Sequence, residues 1–195
     1  MNVKLTFTEE LLGTASANAD LYSDFIASKN PNGIAPDELE SLSVDEEIQE
    51  STTIFHRDAE GTPIIYDYQL KGFFKDACGC LRRVTGTRSN KLKAYKKEID
   101  GLIFPEPRQI KIEVAGEIKI CERPLRASTA QGERIALARS EAIPAGSTIL
   151  FNIVCLKESL EKEIEEWLDY GKLRGLGQWR NSGKGRFTVE YPEAE

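Results

Sequence analysis

The sequence predicts an α+β protein built on a βαββαβ core, and three observations carry that prediction. Stretches 3–8, near 109–121, 147–156 and 186–191 alternate apolar and polar residues, the period of two of a half-buried strand. Stretches 69–84 and 158–170 instead repeat apolar residues three and four apart, the spacing of an amphipathic helix. Their order is that of a ferredoxin-like fold, with two helices on one sheet face and the other face open.

The first strand sets Val3, Leu5 and Phe7 against Lys4, Thr6 and Thr8. Residues 9–67 are too long for a plain connection and read as an insertion into a single domain spanning 1–195. Within the insertion, Leu21, Tyr22, Phe25 and Ile26 have helical spacing in the stretch 16–29. A second helix opens at Pro36 with early acids that complement its dipole and runs to Glu50. "STTIFHRDAEGTPIIYDY", residues 51–68, reads as a hairpin turning at Asp58–Gly61.

The first core helix carries Leu70, Phe73, Phe74, Ala77, Leu81 and Val84 on one stripe. Gly72 and Gly79 inside it each cost about 1 kcal/mol relative to Ala, which points to close packing or a close ligand. A basic loop leads to a short helix ending near Gly101. Ile110, Ile112 and Val114, then Ile118 and Ile120, read as two strands around a turn at Ala115–Gly116. Residues 123–147 are polar and cationic, a long loop or projecting hairpin. "TILFNIVCL", 148–156, alternates Ile149, Phe151, Ile153 and Cys155 with Leu150, Asn152, Val154 and Leu156 and reads as a central strand. The second core helix buries Leu160, Ile164, Trp167 and Leu168, and its carboxylates read as a solvated face. Phe187, Val189 and Tyr191 close the chain.

Among 195 residues, 40% are hydrophobic and 30% charged, the composition of a water-soluble globular chain. No apolar run approaches the roughly 20 residues of a membrane span, so a cytoplasmic protein without membrane partners is expected. Four cysteines in no C-x-x-C pair, with His56 the single histidine, argue against a zinc site; no metal or cofactor is expected. Net charge is −6, yet its distribution is dipolar. Seven carboxylates fall between Asp37 and Glu50 without a cation. Eleven cations against four acids fall between Lys71 and Lys111, with Arg82 and Arg83 among them.

The densest signal is "GLGQWRNSGKG", Gly175 to Gly185, between the last helix and the last strand. It is not a P-loop, because five residues separate Gly177 from Gly183, a glycine follows Lys184, and the order is helix, loop, strand. Nor is it a dinucleotide fingerprint, since Arg180 stands at the third glycine position. Backbone free of side chains lets N–H groups approach an anion. Arg180, Lys184 and Arg186 add positive charge, and Trp179 offers a stacking surface. Lys71, Arg82 and Arg83 would extend the track. The open sheet face, read from Lys4, Thr6, Lys111 and Thr188, is polar and unsuited to base stacking.

The pattern glycine, apolar, glycine, five residues with a cation, then Gly183-Lys184-Gly185 resembles the glycine-rich loop of the RAMP superfamily, the RNA-binding and RNA-processing proteins of CRISPR systems. "YQLKGFFKDACGCLRR" is similar to the start of the first helix of RAMP backbone subunits, and "AIPAGSTILFNIVCL" to the entry of their third core strand. The resemblance covers roughly residues 60–191. It implies a non-catalytic RNA-binding protein, a CRISPR effector backbone-type subunit or a stand-alone relative. Its partners would be single-stranded RNA or a nucleotide, and protein subunits of CRISPR type or copies of itself. Gly175, Gly177, Trp179, Arg180, Gly183, Lys184, Gly185 and Arg186 would form the site, with Lys71, Arg82 and Arg83 beside them.

Two alternatives stay open. One is a phage anti-defence protein that mimics such a subunit or sequesters an RNA or nucleotide signal. The other is a small metal-independent endoribonuclease with His56 as general base, an imidazole being suited to that task near neutral pH.

Overall fold

A computed structural model describes residues 1–16, 52–129 and 132–193, with backbone alone for 125–129 and 132–136. The helices expected over 16–29 and 36–50 lie outside the described residues, apart from Ser16, which ends a short strand.

The described residues form an α+β protein with two sheets and three α-helices. The larger sheet centres on β1 (Asn2–Phe7), flanked by β12 (Phe187–Glu190) and β11 (Thr148–Cys155). Along the other edge of β11 lie two consecutive strands, β7 (Ile103–Glu106) and β8 (Gln109–Glu113). Every one of these pairings is antiparallel. β8 continues the sheet to β6 (Pro63–Tyr66) and β5 (His56–Arg57). The hairpin turn between β5 and β6 is closed where Gly61 N–H donates to the Asp58 carbonyl at 3.0 Å.

Alternation fixes which face is covered. Leu5 stands opposite both Ile149 and Val189, and Val3, Leu5, Phe7, Ile149, Phe151 and Ile153 all point into the core. That face receives α1 (Asp67–Leu81) and α3 (Glu161–Arg174), which pack on each other. α1 contributes Leu70, Phe73, Phe74, Ala77 and Cys78. α3 contributes Ile164, Leu168 and the fully buried Trp167, each such side chain adding roughly 1.5–3 kcal/mol of apolar burial. Val84, expected to continue the α1 stripe, lies beyond the helix end and is exposed.

The basic loop after α1 is pinned to α3. Arg88 N–H, Ser89 N–H and the Ser89 hydroxyl donate to the Glu166 carboxylate at 2.8, 3.1 and 2.6 Å, and Trp167 Nε1 donates to Ser89 Oγ at 2.8 Å. Glu166 is therefore a loop anchor rather than part of a solvated face. α2 (Tyr95–Leu102) follows the loop and leads into β7.

The smaller sheet joins β2 (Leu11–Leu12), β3 (Ala15–Ser16), β4 (Thr53–Ile54), β9 (Lys119–Thr129) and β10 (Gly132–Ile143). Here the structure departs from the expected pairing of 110–114 with 118–120. Both edges of β8 are occupied, by β6 and β11, so residues 119–129 pair with β10 along a long hairpin. The open face of the large sheet also differs from expectation. Beside Lys4, Thr6 and Thr188 it exposes Phe104 and Leu150, the latter at 60%.

Candidate nucleic-acid interface

Residues 175–186 form a loop whose neck is closed by backbone. Leu176 N–H donates to the Gly185 carbonyl at 2.8 Å, and Gly185 N–H donates to the Glu10 carbonyl at 2.8 Å. A Cβ on Gly185 would lie 1.9 Å from Leu176 O, and one on Gly175 would lie 2.4 Å from Lys184 O. Both have positive φ, +69° and +73°. These two glycines serve the loop's own closure, not the approach of a ligand.

The tip is different. Arg180–Ser182 make a 3-10 turn, with Ser182 and Gly183 N–H donating to the carbonyls of Trp179 and Arg180, both at 3.0 Å. The amides of Gly177, Gln178 and Trp179 have no hydrogen-bond partner among the described residues. Gly177 and Trp179 both lie in the left-handed region, φ +80° and +51°, and such reversals of backbone handedness tend to turn N–H groups toward a common anion.

For Trp179 that conformation costs about 1–2 kcal/mol, and it holds the indole 41% exposed. The Arg123 guanidinium backs the ring at 5.0 Å. Arg123 is itself buried, donating to Ser140 Oγ at 3.1 Å and Gln178 Oε1 at 3.2 Å. Arg123 belongs to a cationic stretch of the sequence, but nothing there joined it to the glycine loop.

The loop's cations are held by acids. Arg180 Nη1 donates to Asp76 Oδ2 at 2.8 Å, and Arg174 Nε donates to the same oxygen at 2.8 Å. Partial burial works to raise the Asp76 carboxyl, but the hydrogen bond from Arg174 and the charges of Arg180 and Arg174 outweigh it and hold its pKa below the ordinary value. Lys184 donates to Glu10 Oε2 at 2.6 Å, and that bond raises the lysine's pKa. Arg186 is exposed, with no ion pair among the described residues.

Two concavities adjoin the loop. A cavity of about 290 Å³ lies between the loop (Gly177, Arg180), β2, the β5–β6 hairpin (His56, Ile64) and α1 (Gly72, Phe73). A polar cleft of about 580 Å³ runs along α1 past Asp76, Gly79, Arg82 and Arg83. Gly72, Asp76, Gly79 and Arg83 recur on one helical face, so the two glycines flatten the groove between cavity and cleft. The Asp76–Arg180 pair joins them. The Arg82 guanidinium sits 5.2 Å from the Tyr95 ring centre.

The structure thus brings Gly177, Arg180 and His56 to the cavity and Arg82 and Arg83 to the cleft, with Trp179 exposed on the loop. It does not bring Lys71 there. Lys71 Nζ donates to the Asp100 carbonyl at 3.2 Å and lies 4.4 Å over the Phe104 ring, on the α2 flank of the helix. Burial lowers the His56 pKa, so the imidazole is neutral at pH 7. Its edge meets Tyr66, which stacks on Tyr68 at 5.4 Å. Among the described residues, no cluster of three or more His, Cys, Asp or Glu could hold a metal, and no helix is long and apolar enough to cross a membrane.

This arrangement defines a class: an α+β protein with a grooved, partly cationic face beside the loop of residues 175–186. The chain superposes on a chain in the cryo-EM structure of the Type III-B Cmr-beta complex bound to cognate target RNA, with a TM-score of 0.52 and 13% identity. That match covers 97% of this chain and 58% of the other, so the protein spans little more than half its length. A second match, to a chain of a Type IV-B CRISPR complex, has a TM-score of 0.47 and 11% identity, covering 97% and 88%. No family model and no curated protein matches the sequence.

Proposed function

We propose that this chain is a non-catalytic, single-stranded RNA-binding protein of RAMP type, a backbone-type CRISPR effector subunit or a stand-alone relative. β1–α1–β7/β8–β11–α3–β12 is its ferredoxin-like core, in the strand order β12–β1–β11–β8, and residues 9–67 are an insertion into the first connection. The observation that carries the reading is the surface where the loop tip meets the grooved face of α1. Gly177 and Arg180 line the cavity, Arg82 and Arg83 line the cleft, and the loop adds three unbonded amides, an exposed indole and the exposed Arg186. Backbone amides and arginines suit phosphates, and the indole suits a base.

The test is fluorescence anisotropy of labelled single-stranded RNA across a salt series. Four arginine–phosphate contacts give a log–log slope of about −3, and Arg180→Ala/Arg186→Ala reduces it by about 1.4. Unchanged affinity in that double variant contradicts the reading.

One observation favours a second reading, a metal-independent endoribonuclease: the cavity places neutral His56 beside Arg180. His56 would take the 2′-hydroxyl proton as that oxygen attacks the adjacent phosphorus and the 5′-oxygen leaves, protonated by water. RNA that stays intact through prolonged incubation removes this reading. Cleavage abolished by His56→Ala supports it over the first.

A further inference from the structure

We infer that the cavity beside the glycine loop accepts one nucleobase, splayed out of the bound strand and inserted between the β5–β6 hairpin and α1; this rests on the RNA-binding reading above. The volume of about 290 Å³ lies at the lower end of the roughly 300–1,000 Å³ of small-molecule sites, enough for one ring system rather than two stacked nucleotides. Its walls suit a flat apolar face: Leu11, Ile64 and Phe73 come from three different elements.

Gly72 lies at the cavity mouth. A Cβ there would meet nothing within 4 Å, so the missing side chain leaves empty space rather than making room for a packed neighbour. Gly72 has a negative φ within a regular helix, so neither a turn nor a close contact demands glycine there.

The polar groups stand where a base carries its heteroatoms. The His56 ring nitrogens have no hydrogen-bond partner among the described residues, and a neutral imidazole offers one donor and one acceptor. Gln69 does not compete for this role, because its amide is spent on Thr14 Oγ1 at 2.7 Å and Tyr66 N–H at 2.8 Å. Arg180 lies at the boundary with the cationic cleft, so a nucleotide with its base inside sets its phosphate among the cations.

The experiment compares two labelled strands: a mixed-sequence RNA, and the same strand with abasic ribose at every position. Wild-type protein should prefer the base-bearing strand by about five- to a hundred-fold, the range that base stacking on protein rings supports. Gly72→Leu sets a large apolar side chain at the cavity mouth, its Cβ meeting nothing within 4 Å, and Leu propagates a helix better than Gly. It should bring binding of the base-bearing strand down toward that of the abasic strand.

Equal binding of both strands by wild type overturns the pocket and leaves the phosphate-binding surface standing. So does a Gly72→Leu protein that melts as wild type and keeps the full preference. Binding of neither strand by wild type refutes the RNA reading and the pocket with it. Because equal binding by wild type overturns the pocket by itself, a variant that fails to fold does not rescue the inference.

Discussion

Gly185→Ala should unfold the glycine loop from its neck, and the cost can be worked from two distances and one angle. The φ of +69° costs an alanine about 1–2 kcal/mol. Its Cβ would stand 1.9 Å from Leu176 O, which is backbone and cannot swing aside. Relief requires opening the neck, so that Leu176 N–H leaves the Gly185 carbonyl and Gly185 N–H leaves the Glu10 carbonyl, about 1 kcal/mol each. The sum is about 3–4 kcal/mol, a large part of the roughly 5–15 kcal/mol that holds a domain folded.

Gly183→Ala is the internal reference. Its φ is also positive, +88°, but the added Cβ meets the Arg186 guanidinium no closer than 3.4 Å, so the cost stays near 1–2 kcal/mol. In equilibrium urea unfolding, with m near 2 kcal/mol/M, the Gly185 variant should lose about 1.5–2 M in midpoint and the Gly183 variant under 1 M. Equal losses, or a harmless Gly185→Ala, would refute the argument that the neck glycines exist for the loop's own closure.

Asp76→Ala removes the shared partner of Arg174 and Arg180 and should destabilise by about 1 kcal/mol, discounted because the pair is partly solvated, as read by thermal melting. Because the Asp76 pKa is depressed in the folded state, its stabilising contribution is fully present above the unfolded value of 3.8 and is lost as pH falls below that value through the lower folded one; Asp76→Asn should flatten that part of an acid titration. Burial lowers the folded-state pKa of His56 below 6.5, so its contribution is present above 6.5 and is lost as pH falls through the folded value; His56→Gln should remove that dependence in melts between pH 5 and 7. Trp179→Gly relieves a left-handed side chain yet should weaken RNA binding by about 1–3 kcal/mol, measured by anisotropy.

The elements legible in the sequence are those with a single buried face. β1, β11, α1 and α3 each display one core-facing stripe, and the structure buries those stripes. β9 and β10 were harder to read because residues 123–147 are polar and cationic with little alternation. The mistaken partner for residues 118–120 followed from local reading: nothing near them says that β6, from the far side of α1, occupies the free edge of β8.

The acids that govern the loop were hidden for a similar reason. Asp76 is 104 residues from Arg180, and Glu10 is 174 from Lys184, so neither pair leaves a short-range pattern. Glu166 looked solvated because its three donors come from a loop 77–78 residues away. The glycine spacing did not separate neck glycines, which meet the protein's own backbone, from Gly72, which meets open space.

Photo-crosslinking of 4-thiouridine-bearing RNA, followed by peptide mapping, tests the central claim most directly. Crosslinks should fall on the loop around Trp179 and on the face of α1 that carries Gly72, Gly79 and Arg83. Crosslinks confined to the open sheet face around Phe104 and Leu150 would contradict the account.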